Sequence, residues 1–186
     1  MNTLNQILNV SNSILDQQDT SYINKHNLYH DTSYYHLNSG KEHYRLLMYI
    51  SSLFTNSILF DVGTNKCMSA LALSKNGTNT VKTYDILKAS PEYPSVSNIE
   101  YIIGDSTEDK DLINSNCIFL DVAHDGTYED IFYDHLRNIN WKGFLLLDDI
   151  HLNDPMKTFW NRITEEKYDV TDKGHWSGTG LVVFRD

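Results

Sequence analysis

Six aspartates and two histidines of this 186-residue chain are spaced so that they could do chemistry together. Asp61, Asp85, Asp105 and Asp121 lie at the ends of short apolar runs, and the adjacent pair Asp148-Asp149 ends another. The runs are ILFDVG (58–63), TVKTYDI (80–86), IEYIIGD (99–105), CIFLDVA (117–123) and GFLLLDDI (143–150). A lone aspartate in such a place is more often a loop cap than a ligand. A succession of them along one edge crowds negative charge, which repels itself unless a cation or a hydroxyl-rich ligand is present. His124 stands three residues after Asp121, and His151 two after Asp149. An imidazole with a pKa of about 6.5 can accept a proton at neutral pH.

These residues need a scaffold that brings the ends of the runs together. ILF, CIFL and FLLL are apolar on both faces, the pattern of strands covered by helices on both sides. Helical segments separate most of them. Leu4, Ile7, Leu8, Ile14 and Leu15 predict one N-terminal helix over 4–15, and Leu46, Leu47, Ile50, Leu53 and Phe54 a second from about Lys41. Residues 20–40 show no period and are read as a loop. Met68 to Lys75 predicts a short helix closed by Gly77. Thr127 with Asp130 predicts a capped helix start, and Asp154-Pro155 an N-cap followed by a first-turn proline. Alternating strands and helices imply right-handed crossovers and a mostly parallel sheet. YDVT (168–171) and LVVFRD (181–186) have no helix between them, so the sheet should end in a hairpin-like pair with one antiparallel strand. In such a sheet, ligands bind at the carboxyl ends of the strands, which is where the acids stand.

The length suits one domain with a sizeable core. A formal net charge of −10 disfavours generic nucleic-acid binding. No apolar run approaches the roughly 20 residues that span a bilayer, and no basic, apolar leader opens the chain. Cys67 and Cys117 lie in apolar stretches and read as buried free thiols. These features together predict a cytoplasmic protein, with no nucleic-acid or membrane partner.

The turn DVGTNKCMSALAL (61–73) resembles the glycine motif of class I S-adenosylmethionine-dependent methyltransferases: an acid, one residue, Gly, three residues, Gly. Asp61 and Gly63 match, and Cys67 replaces the second glycine. The resemblance implies an α/β, Rossmann-like, doubly wound and mostly parallel seven-stranded sheet with an antiparallel C-terminal strand. Residues 1–186 would form one domain, with 1–55 a helical and looped cap and 56–186 the core. S-adenosylmethionine is the implied cofactor. Asp61, Gly63 and Ser69 would serve its methionine end, Asp85 its ribose hydroxyls, Asp105-Ser106 its adenine, and Asp121 would also border it. For Asp105 the competing reading is a turn former in GDS. The three-glycine turn of nicotinamide enzymes is missing from GTNKC.

LDVAHDGTY (120–128) with LLLDDIH (145–151) resembles the metal-dependent O-methyltransferases of the catechol and sugar types. That resemblance implies that Asp121, Asp148 and Asp149 hold one divalent ion, with Mg²⁺ the expected metal. It leaves three candidate bases: His151, His124 and Asp121. DDIH favours a sugar or glycan hydroxyl as acceptor, with a small phenol or catechol as the alternative. A cofactor-binding module without catalysis is the reading that Cys67 motivates, and a place on a longer glycan-modifying polypeptide stays open. Glu42 and His43 in SGKEHYRLL (39–47), His175 and Trp176 in GHWSGTG (174–180), and the tyrosines and histidines of 28–36 are flanking candidates. Trp176 is expected to pack on the core.

Overall fold

The acid-tipped runs all become strands. A computed structural model describes residues 2–29, 34–88 and 92–185. Its strands are β1 (Ile58–Val62), β2 (Thr80–Asp85), β3 (Ile99–Ile103), β4 (Cys117–Leu120), β5 (Gly143–Asp148), β6 (Glu166–Asp169) and β7 (Thr179–Phe184). They form one sheet in the order β3-β2-β1-β4-β5-β7-β6. The β1–β2, β1–β4, β2–β3 and β4–β5 pairs are parallel, and β7 runs antiparallel to both neighbours. This is the expected α/β architecture with its antiparallel C-terminal strand. The strand order reverses between β1 and β4, and a crevice opens at the carboxyl ends of strands at such a point.

Successive strand residues point to opposite faces, so each strand serves two cores. Leu59, Cys117, Phe119, Leu146, Leu181 and Val183 join one core. Helices α1 (Thr3–Asn9), α2 (Asn12–Leu15), α3 (Ser21–His26), α4 (Tyr44–Ser52) and α5 (Met68–Ser74) cover it, through Ile7, Leu15, Ile23, Leu47 and Leu71 among others. Phe60, Ile118, Leu120, Leu145, Leu147, Val182 and Phe184 join the other core, under α6 (Thr127–Asn138) and α7 (Asp154–Arg162). Phe132, Leu136 and Phe159 are the buried stripe of those two helices, and burying each such side chain contributes about 1.5–3 kcal/mol.

Local corrections concern the helix ends. The expected helix over 4–15 is two, because Val10 and Ser11 are extended and the chain bends there. The stretch 20–40 contains α3, whose Ile23 is fully buried. Gly77 does not close α5, which is capped at Lys75 in right-handed geometry. Gly126, not Thr127, is the N-cap of α6, and the Thr127 amide donates to Asp125 Oδ1 instead. Asn153, one residue earlier than expected, caps α7 by accepting from the Met156 amide. Among the described residues, no helix is long and apolar enough to cross a membrane.

Candidate active site

The chain leaving β1 must pass very close to the end of β4. A Cβ placed on Gly63 would meet the Asp121 carbonyl oxygen at 1.6 Å, and Gly63 has φ +109°. Only glycine fits there. Cys67, which replaces the motif's second glycine, adopts a left-handed backbone at φ 68°, ψ 13°. The turn therefore keeps a glycine-like conformation in spite of the side chain, and the Cys67 amide closes it on the Thr64 carbonyl at 2.6 Å.

Two cavities open on this turn. The first, about 240 Å³, lies over the start of α5 and includes Gly63, Ser69, Asp121 and Tyr44 in its lining. Tyr34 and Tyr35 also line it, so part of the 28–36 segment reaches the site; residues 30–33 lie outside the described residues. The second, about 380 Å³, lies over the ends of β2, β3 and β4 and includes Asp85, Ser106, Asp121, His124 and Tyr128. Gly63, Asn65 and Asp121 line both, so the two halves form a trough across the strand-order reversal.

Six of the seven residues expected to bind a cofactor lie on or beside this trough, in different ways. Gly63, Ser69, Asp85, Ser106 and Asp121 line it. Asp85 already accepts from the Asn65 amide at 3.1 Å and the Leu87 amide at 3.3 Å, which fixes its carboxylate at the rim. Asp105 caps a 3₁₀ turn, accepting from the Thr107 amide and hydroxyl and from Tyr128 Oη. That is the turn-forming reading, with Tyr128 positioned as a consequence. Asp61 is fully buried below the trough and lines neither half. Its Oδ2 accepts from Thr83 Oγ1 at 2.6 Å, and burial pushes its pKa up to about 7.

The acids of β4 and β5 meet three histidines. Asp121 follows β4, and Asp148 ends β5. Asp149 takes a left-handed backbone at φ 60°, which bends the chain so that its carboxylate faces the same space. His124 Nε2 stands 3.2 Å from Asp121 Oδ1 and 3.6 Å from Asp149 Oδ2. His175 Nδ1 stands 3.0 Å from Asp149 Oδ1 and 3.4 Å from Asp148 Oδ1. His43 Nδ1 stands 3.4 Å from the same Asp148 oxygen, and Glu42 Oε1 lies 3.6 Å from His175 Nε2. The contact with Asp121 raises the His124 pKa to about 9. Burial works against a charged His175, but Asp148 and Asp149 outweigh it and raise its pKa to about 10. Burial also opposes an ionised Asp148, yet His43 and His175 hold its carboxyl well below the usual range. For Asp121, burial and the Asp148 charge win over His124, and its pKa rises.

His124 is held at both backbone groups. Its amide donates to buried Glu129 at 2.8 Å, and its carbonyl accepts from Asn153 at 2.8 Å. His151 is turned away: its Nε2 pairs with Asp169 Oδ2 at 2.7 Å. The Asp149 bend and the hydrogen bonds from the Ile150 and His151 amides to Gly178 and Ser177 set that direction. Gly178 is required for it, since a Cβ there would meet the His151 amide nitrogen at 2.7 Å. The structure thus brings together Asp121, Asp148, Asp149 and His124, and places His151 outside their contacts. Trp176 is 66% exposed rather than packed on the core, with its ring 5.6 Å from that of His175.

No family model matches the sequence, and a search of curated proteins gave no match. Solved structures do match the fold. A Staphylococcus aureus protein described as a putative caffeoyl-CoA O-methyltransferase aligns over 98% of this chain and 96% of its own, at 12% identity and a TM-score of 0.58. A SAM-dependent methyltransferase from Aquifex aeolicus aligns over 89% and 97%, at 14% identity and TM-score 0.56. A SAH-bound methyltransferase from Podospora anserina aligns over 77% and 78%, at 12% identity and TM-score 0.54. The fold is that of SAM-dependent methyltransferases. At these identities the likeness concerns architecture, and the chemistry rests on the site itself.

Proposed function

We propose that this chain is an S-adenosylmethionine-dependent O-methyltransferase whose acceptor is a hydroxyl of a sugar or glycan. The observation that carries the reading is the trough over Gly63. It runs from the start of α5 to Asp85 and Ser106, and a cluster of carboxylates and histidines stands at its Asp121 side. S-adenosylmethionine would supply the electrophilic methyl group. The Gly63 turn and Ser69 suit its amino-acid end, because the backbone there leaves room that a side chain would fill. Asp85 suits vicinal ribose hydroxyls, since its two oxygens can each accept one proton.

Asp121, Asp148 and Asp149 are the acids that would hold a divalent cation, as their likeness to metal-dependent O-methyltransferases implies. Asp148 Oδ1 is buried with no hydrogen-bond partner among the described residues, a state that a cation would relieve. Such an ion would lower the pKa of the acceptor hydroxyl and loosen the carboxylates' hold on the His124 proton. His124 would take up the hydroxyl proton once its own has been released, and Glu129 and Asn153 hold its backbone beside Asp121.

Calorimetry with S-adenosylmethionine, with and without Mg²⁺, tests the first step. No binding in either condition sinks the proposal. Radiolabelled methyl transfer to a panel of sugars and catechols then tests the acceptor. Transfer to catechols alone would replace the sugar reading with the phenol one.

A further inference from the structure

His43 is the least explained polar residue of the molecule. It is 3% exposed, and neither ring nitrogen makes a hydrogen bond to a described residue. Leaving buried polar atoms unpaired costs on the order of 1–3 kcal/mol each. The ring packs on Phe119, with centroids 4.7 Å apart, which fixes its direction. That direction puts Nδ1 3.4 Å from Asp148 Oδ1, itself buried and without a hydrogen bond. His175 Nδ1 lies 3.4 Å from the same oxygen. One donor atom each from His43, Asp148 and His175 lie within 4.8 Å of one another. Two donors that each sit about 2.1 Å from a shared tetrahedral ion are separated by roughly 3.4 Å.

We infer that His43 and His175 set two imidazole donors beside Asp148, so that the cation proposed above for the acid cluster is a divalent transition ion of the Zn²⁺ or Co²⁺ type rather than Mg²⁺; the inference rests on that metal-assisted reading. Imidazole nitrogen suits these ions, whereas Mg²⁺ keeps oxygen ligands and its own waters. The three donors come from the start of α4, the end of β5 and the β6–β7 connection, so the site also ties the N-terminal helices to the far side of the sheet. Glu42, 3.6 Å from the other ring nitrogen of His175, Nε2, orients that ring. On binding, the proton shared by His175 Nδ1 and Asp149 leaves to solvent as the metal takes the nitrogen lone pair. The site does not depend on methyl transfer and can be tested without S-adenosylmethionine.

The test is a Co²⁺ titration of the chelator-treated full chain, read by visible d–d absorption. One Co²⁺ per chain should bind, with the intense bands of a low-coordinate nitrogen-containing site. Zn²⁺ should displace it, and a large excess of Mg²⁺ should not. His43→Gln and His175→Gln should each weaken binding by at least about tenfold. Pulsed electron paramagnetic resonance of the unmutated chain loaded with Cu²⁺ should show couplings to directly bound imidazole nitrogen, which guards against a variant that fails to fold. Absence of Co²⁺ binding, displacement by Mg²⁺, or a spectrum without nitrogen coupling would each overturn the inference. Failure of the methyltransferase reading would instead appear as absent S-adenosylmethionine binding with Co²⁺ binding intact.

Discussion

Asp61→Asn should make the protein less sensitive to pH. The carboxyl is fully buried in the central strand, and its folded pKa is about 7 against an ordinary value of 3.8. Because the folded pKa is the higher one, the folded state binds this proton more tightly. The stabilisation is complete below pH 3.8 and is lost as pH rises through about 7. Between pH 5 and pH 8 the loss amounts to roughly 2.5 kcal/mol, at about 1.36 kcal/mol per pKa unit. Asparagine cannot ionise, and its amide oxygen can keep the hydrogen bond from Thr83. Any pH-independent cost of the amide group is equal at both pH values. The quantity to measure is therefore the change in unfolding free energy on mutation at pH 8 minus that at pH 5, from urea titrations followed by tryptophan fluorescence. The variant should gain about 1–2.5 kcal/mol by this difference, the lower bound allowing for relaxation around the charge. A difference of zero or of opposite sign would show that Asp61 is ionised in the fold at both pH values.

Gly63→Ala should unfold the turn or remove ligand binding, because its Cβ would overlap the Asp121 carbonyl. A loss of more than about 2 kcal/mol is expected, and a variant with native melting temperature and S-adenosylmethionine affinity would contradict it. His124→Ala should lower kcat by about 10²–10⁴-fold while His151→Ala stays within about threefold, and the reverse order would name His151 the base. Asp149→Ala should abolish turnover while leaving S-adenosylmethionine binding in calorimetry nearly intact; a fully active variant would remove the metal from the mechanism.

The parallel part of the sheet was legible because β1 to β5 each pair an apolar run with an acid at or just after the strand end, and both signals are local. The stripe of α4 and the starts of α6 and α7 were legible to within a residue or a few for the same reason. The break at Val10-Ser11 was not, since Leu4 to Leu15 keeps an apolar pattern across two separate helices. At the site, Asp121, Asp148, Asp149 and His124 share a neighbourhood that strand ends and short spacings suggest. His43, 105 residues before Asp148, and His175, 27 after it, join them only through tertiary packing, and nothing in SGKEHYRLL or GHWSGTG marks them as partners. His151 shows the opposite limit. Its spacing from Asp149 suits a base, but a left-handed residue between strand and loop redirects the ring, and backbone geometry of that kind has no signature in an Asp-Asp pair. Glu129, which holds His124, likewise reads in sequence as an ordinary helix acid.

The two thiols make the protein a reporter of its own breathing. Cys67 and Cys117 are shut away from solvent, and burial pushes both pKa values up to about 12. At pH 8 only about one in ten thousand would be thiolate, so alkylation must wait for an opening of the chain. Cys67 sits at the head of α5 under the trough, whereas Cys117 lies in β4 at the middle of the sheet. Labelling of Cys67 then measures local release of the turn, and labelling of Cys117 measures loss of the whole sheet. A small molecule that fills the trough should slow the first rate selectively. Mass spectrometry of alkylated chains could thus find ligands for this protein before any product is known.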